Sequence, residues 1–215
     1  CTDIVVYQDD LSCEIKPFLV CKKMKGLTQS TLVHYERILK HFTLNINKDI
    51  KLLVSNDIRY YLLSYEKTHK VGNSTLDDKR RVLNSFYKWL VAEDIIIKSP
   101  MDRIDPIKCD KKLKEPLSVL ELEQIRGICK TIRETAILET LYSTGCRVSE
   151  LISLNKSDIN YETGRIKILG KGNKERYVFL NAKAQIAIKK YIFSRTDDNE
   201  ALFVAGKKPF NRLGK

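Results

Sequence analysis

Apolar residues recur through the first half of the chain at helical spacing. After Gly26, Thr28 can cap a helix that carries Leu32, Tyr35, Ile38, Leu39 and Phe42 as one stripe to bury. Ser55 is placed to cap a second helix, with Ile58, Tyr61, Leu62 and Tyr65 on one face. A third starts near Asn73 or Ser74 and turns Leu76, Leu83, Phe86, Tyr87 and Leu90 inward, with Lys79, Arg80, Arg81 and Lys88 expected on the opposite side. This pattern predicts a small helical bundle over residues 1–105.

The pattern then changes. Pro100, Pro106 and Pro116 forbid a continuous helix between Lys98 and Pro116, and Lys108, Lys111, Lys112 and Lys114 make the stretch basic. Residues 106–116 read as a linker, suited either to lie along a phosphate backbone or to serve as a solvated connector. Residues 117–215 form the second domain. There Ser118 and Glu121 match a capping box, and the helix they start offers Leu122, Ile125 and Ile128 as its inner face. A second helix runs from about Glu134 to Gly145, and a third from Val148 to Leu154. Strict alternation over Arg165-Ile166-Lys167-Ile168-Leu169, a turn over 170–174 and a return over Tyr177-Val178-Phe179-Leu180 predict an antiparallel hairpin. Asn181 can cap a last helix to about Ser194. The fold class is therefore a helical domain followed by a mixed α+β domain with a small antiparallel sheet.

Composition narrows the partners. Of 215 residues, 43% are hydrophobic and 31% charged, which fits a packed chain rather than a disordered one. Lys and Arg number 39 against 27 Asp and Glu, a formal net charge of +12. Such an excess favours polyanions, because each neutralised phosphate releases condensed counterions. The longest apolar runs, such as Ile95-Ile96-Ile97, are too short to cross a bilayer, and no charged-then-apolar leader opens the chain. The six cysteines form no CxxC pair and no Cys/His ligand cluster. Reduced thiols and a cytoplasmic location are expected.

Two segments carry chemistry beyond the fold. In Leu141-Tyr142-Ser143-Thr144-Gly145-Cys146-Arg147-Val148-Ser149-Glu150-Leu151, a helix ends at a glycine and an arginine stands at the entry to the next helix. Amides at a helix start favour an anion, and a guanidinium adds a planar fork of donors that matches phosphate oxygens. Taken alone, Arg147 fits better as a surface or ion-paired arginine, with Glu150 as its partner. In the turn Gly170-Lys171-Gly172-Asn173-Lys174-Glu175-Arg176, two glycines permit close backbone approach and three cations project from the tip. A lysine held beside a phosphodiester can protonate a leaving oxygen. An exposed basic hairpin explains the same residues, and the segment lacks the pattern of a nucleotide-binding P-loop.

The stretches LYSTGCRVSELISLNKSDI and GKGNKERYVFL resemble the first boxes of the tyrosine recombinase, or phage integrase, family, its Xer-like members above all. Arg147 and Lys171 stand 24 residues apart, which also resembles that family. STLVHYERILKHF and RRVLNSFYKWLVAEDIIIKSPMDRI resemble its core-binding domain, a SAM-like bundle. The resemblance implies site-specific strand breakage and rejoining through a 3′-phosphotyrosyl intermediate on double-stranded DNA. Arg147 would clamp non-bridging phosphate oxygens, and Lys171 would protonate the departing 5′-oxygen. Glu150 would orient local structure, and neither metal nor nucleotide cofactor is implied. Lys79, Arg80, Lys111, Lys112, Lys174 and Arg176 are the candidate DNA contacts.

The family also needs a later His-x-x-Arg box, a further His or Trp, and a nucleophilic tyrosine. No histidine follows His69, and the His34–Arg37 match lies in the wrong order and domain. Tyr142, Tyr177 and Tyr191 fall at non-nucleophilic positions. The catalytic domain is thus expected to be incomplete at its C-terminus, with a chain that binds DNA without cutting it alone. A monomer is expected for these residues, against a tetramer at synapsis for a full-length member. The alternatives are a non-catalytic DNA-binding accessory of the same family and an unrelated helical regulator; the latter has no need of the Arg147 and Lys171 pairing.

Overall fold

The computed structural model describes residues 6–46, 48–109, 115–170 and 175–214, with side chains from residue 13 onward. The chain divides into two compact units, Cys1–Leu113 and Lys114–Lys215.

The first unit is helical: α1 (Val6–Met24), α2 (Gln29–Leu44), α3 (Ser55–His69) and α4 (Asn73–Ala92), with 3-10 turns at Ile50–Leu52 and Pro100–Arg103. The stripes expected of α2, α3 and α4 meet as predicted. Phe42, Leu39, Ile58, Leu83, Phe86, Tyr87 and Leu90 are buried together, and α1 adds Ile15 and Phe18. Each such side chain contributes about 1.5–3 kcal/mol when taken out of water. No helix was expected before Gly26; α1 carries Pro17 inside it and gives only a weak amphipathic signal. Ser55 is not a cap. Val54 holds that position, the Asp57 carboxylate accepts its amide at 3.0 Å, and the Ser55 hydroxyl donates instead to the Pro100 carbonyl at 2.6 Å.

Lys79 and Arg80 correct the expectation of a polar outer side on α4, because both are buried. Their spacing accounts for it: 76, 79/80, 83, 86/87 and 90 are a single helical stripe. Lys79 places its Nζ 3.7 Å from the centroid of the Tyr65 ring, and burial, together with Arg37 nearby, lowers its pKa. Arg80 donates from Nε to the buried Asp77 carboxylate at 2.7 Å, and the same oxygen accepts the Ile107 amide at 3.1 Å.

The second unit comprises α5 (Val119–Ile128), α6 (Ile132–Thr144), α7 (Val148–Ser153), β1 (Ile159–Asn160), β2 (Arg165–Leu169), β3 (Glu175–Phe179) and α8 (Ala182–Phe193). The strands form one antiparallel sheet in the order β1-β2-β3, with Ile166 opposite Val178 and Arg165 opposite Phe179. The expected cap of α5 is present: Ser118 Oγ accepts the Glu121 amide at 3.2 Å, and Glu121 accepts the Ser118 amide at 2.8 Å. Gly145 ends α6 at φ +58°, the left-handed conformation that suits glycine. Asn181 caps α8 through the Ala184 amide at 2.8 Å. Ile128 corrects the expected inner face of α5, since it is 70% exposed and Leu122 alone is buried there.

Ile166 and Ile168 of the sheet, Ala136 of α6, Leu151 of α7, Ala184 and Ile188 of α8, and Leu202 and Phe203 share one core. The segment after α8 is clasped by arginines. Arg195 reaches the carbonyls of Asn199, Ala201 and Leu202, and Arg212 those of Ile152 and Leu154. Among the described residues no helix is long and apolar enough to cross a membrane, and Cys13, Cys21, Cys109, Cys129 and Cys146 are free thiols.

Candidate active site

The turn at Gly145 delivers Arg147 to the N-terminal boundary of α7, one turn before Glu150. Glu150 is buried, so its carboxylate must be fully partnered to persist as an anion. It is: Oε2 accepts the Arg147 amide at 2.7 Å and Arg176 Nη2 at 2.8 Å, while Oε1 accepts Arg147 Nη1 at 3.0 Å and Arg176 Nη1 at 2.9 Å. The amide at this boundary is therefore taken by Glu150.

Arg176 lies on β3. Strand alternation puts it on the face of Val178, opposite Tyr177, so it reaches back toward α7. Its fork meets the carboxylate with two parallel bonds, the strongest form of this pairing. Arg147, in contrast, gives the carboxylate a single side-chain bond and is 67% exposed. The Glu150 carboxyl is pulled down to about 2, first by the Arg176 hydrogen bonds, against burial, with the Arg147 amide and guanidinium adding to the effect. Buried Cys146 abuts this cluster, and burial pushes its thiol up. Among the described residues, the arrangement holds one guanidinium at a fixed place with a single one of its donors bonded, to Glu150.

The remaining candidates divide into two groups. Lys171 and Lys174, at the hairpin tip, and Lys111 and Lys112, in the linker, lie outside the described residues. The strands that flank the tip are in register up to Leu169 opposite Glu175. Arg176, expected to project from the turn, is instead bound to Glu150, and Lys79 and Arg80 are internal to the first unit. Arg176 is thus a site residue whose partner the sequence did not reveal. The alternation of β3 was the available signal; a partner 26 residues away leaves none.

Residues 16–97 match the family model described as "Phage integrase, N-terminal SAM-like domain", and residues 116–213 match that of the phage integrase family. The chain is 34% identical over 198 residues to tyrosine recombinase XerD of Oceanobacillus iheyensis, covering 84% of this chain and 66% of that protein. It is 30% identical over 195 residues to tyrosine recombinase XerC of Herpetosiphon aurantiacus, covering 84% and 64%. The chain belongs to the phage integrase family, the tyrosine recombinases.

This tyrosine recombinase chain spans just under two thirds of the length of those relatives. Its fold is that of a lambda integrase solved as a dimer bound to a COC′ core site, with a TM-score of 0.75 at 18% identity over 95% of this chain and 76% of that one. Both family models fall within the two units: the SAM-like match covers α2, α3 and α4, and the integrase match covers α5 through the Arg212 clasp.

Proposed function

We propose that this chain is the DNA-holding and phosphate-facing part of a site-specific recombinase that breaks and rejoins DNA through a 3′-phosphotyrosyl intermediate. The observation that carries the reading is Arg147, fixed at its base by Glu150 and exposed at its tip. A guanidinium so placed stabilises the negative charge that builds on non-bridging oxygens as a tyrosine attacks, without reorganising first. Lys171, on the tip between β2 and β3, is assigned the proton given to the departing 5′-oxygen. Lys111, Lys112 and Lys174 are assigned to the DNA backbone.

Tyr142, Tyr177 and Tyr191 do not suit the attack. Tyr191 is buried, and its hydroxyl accepts the Val204 amide at 3.2 Å. The Tyr142 and Tyr177 rings lie under the guanidinium groups of Arg126 and Arg165. We assign the nucleophile to none of them. These 215 residues should therefore bind duplex DNA in a salt-sensitive way, as a monomer, and form no covalent adduct. A cytoplasmic location and tetramer formation at synapsis, in a form carrying a His-x-x-Arg box and the tyrosine, belong to the same reading.

A nicked suicide duplex tests it. Binding without adduct is expected for this chain, with adduct only in the longer form; a covalent complex from these residues alone overturns the assignment. In the longer form Arg147→Ala should lower cleavage far more than binding. Equal loss of both would make Arg147 a DNA-positioning residue rather than one that stabilises the transition state.

A further inference from the structure

Glu150 faces two guanidinium groups, and they are not equivalent. Arg176 grips it with two bonds at 2.9 and 2.8 Å from a strand that belongs to the sheet, and Arg147 touches it with one at 3.0 Å from the helix boundary. Two guanidinium groups and one carboxylate leave a net charge of +1. Because the bidentate partner is the better placed to neutralise the carboxylate, the surplus charge resides on the exposed Arg147. Without Arg176 the remaining pair would be neutral, and the Arg147 fork would be free to turn fully onto Glu150.

We infer that Arg176 is a positioning residue of the recombinase site: it is the standing counter-ion of Glu150, and it leaves Arg147 oriented but uncompensated for a phosphate. The inference rests on the reading of Arg147 as phosphate-facing. It replaces the expectation that Arg176 itself contacts DNA. Glu150 then has two tasks that need two partners. Its Oε2 fixes the backbone of Arg147 through the amide at 2.7 Å, and its charge is absorbed by a residue that never leaves. A lysine at 176 would supply charge but not the parallel pair of bonds.

The test counts phosphates. On duplex DNA the slope of log affinity against log salt falls by about 0.9 for each phosphate that the protein ceases to neutralise. Measured with the full chain and an arbitrary-sequence duplex, Arg147→Gln and Arg176→Gln should each reduce the slope by about that amount. The double variant Arg147→Gln/Arg176→Gln should lose no more than either single one. Adding Glu150→Gln to Arg176→Gln should restore the parent slope, because the carboxylate that captures Arg147 is gone. A summed loss of about 1.8, or no restoration by Glu150→Gln, overturns the inference and returns Arg176 to direct contact. An unchanged slope in Arg147→Gln removes the phosphate-facing reading itself, and this inference with it. If Arg176→Gln fails to fold, side-chain NMR of the unaltered chain decides. On adding the duplex the Arg147 Nε–H resonance should shift while the Arg176 resonances stay fixed, and the reverse overturns the inference.

Discussion

Asp77 in the first unit and Glu150 in the second are the same device built twice. Each is a buried carboxylate that takes one backbone amide and two arginines, one arginine held close and the other exposed. At Asp77 the close partner, Arg80, is buried three residues along α4, and the exposed one, Arg81, forms an ion pair at 2.7 Å. The amide belongs to Ile107, so this node fastens the segment after the Pro100–Arg103 turn to α4. At Glu150 the close partner comes from β3, the amide is that of Arg147 itself, and the node ties a strand to a helix boundary. Identical chemistry thus serves architecture in one unit and presents a cation in the other. What differs is where the partners come from and how far each is exposed.

The largest effect that could break this comparison is on stability. Asp77→Ala leaves a buried guanidinium and the Ile107 amide without partners, and removing one member of a buried pair costs about 3–5 kcal/mol. Glu150→Ala should cost less, about 1–3 kcal/mol, because Arg176 is 39% exposed and can be hydrated. The chain's single tryptophan separates the two. Trp89 lies in the core of the first unit at 9% exposure, so Asp77→Ala should lower the urea midpoint of its fluorescence. Glu150→Ala should leave that midpoint in place and move only the circular dichroism transition. A larger loss from Glu150→Ala would mean that the second node is the structural one.

Acid titration gives a smaller and sharper distinction. The Glu150 carboxyl lies at about 2, below the ordinary carboxylate value. Its contribution to stability is therefore complete above the unfolded value of about 4.3 and is lost as pH falls toward the folded one. Carboxyl NMR should find Glu150 ionised down to pH ~3. Arg176→Gln should raise its midpoint more than Arg147→Gln does, since Arg176 is the larger cause. At Asp77 burial pushes the carboxyl up, but the Arg80 and Ile107 hydrogen bonds outweigh it and hold the group below its ordinary value. Arg80→Gln should therefore raise the Asp77 midpoint more than Arg81→Gln does. The opposite order at either node would reverse which arginine is the standing partner.

Much of this is legible in the sequence. The stripes of α2, α3 and α4, the Ser118–Glu121 cap, the left-handed Gly145 and the β2–β3 hairpin are local patterns, and local patterns survive in a linear sequence. The sites failed where charge overrode geometry. Lys79 and Arg80 sit on the buried stripe of α4 by number, yet their charge suggests the outside; an ammonium seated over the Tyr65 ring and a short ion pair to Asp77 make burial tolerable. Arg176 is the same lesson in a strand, placed inward by alternation with Val178. The Glu150–Arg176 bond had no sequence signal at all, because the fold alone brings residues 26 apart together.

The smallest stability effects should come from the two exposed arginines, and there the nodes part most clearly. Arg81 and Arg147 have side chains 73% and 67% exposed, so water hydrates and screens each of these guanidinium groups, and losing either should cost about 0–1 kcal/mol. Arg81→Ala and Arg147→Ala should therefore each leave the unfolding midpoints nearly unchanged, since Arg80 and Arg176 remain on the carboxylates. Their consequences for strand cleavage should differ. In a form of the enzyme able to cleave, Arg147→Ala should lower the rate by at least about 10², the scale for loss of one donor to a developing oxyanion. Arg81→Ala should leave the cleavage rate of bound DNA within a few-fold of the parent. Single-turnover cleavage at saturating DNA measures both without interference from affinity. A large rate loss in Arg81→Ala would show that the first node also presents a working cation, and the division between architecture and chemistry would fall.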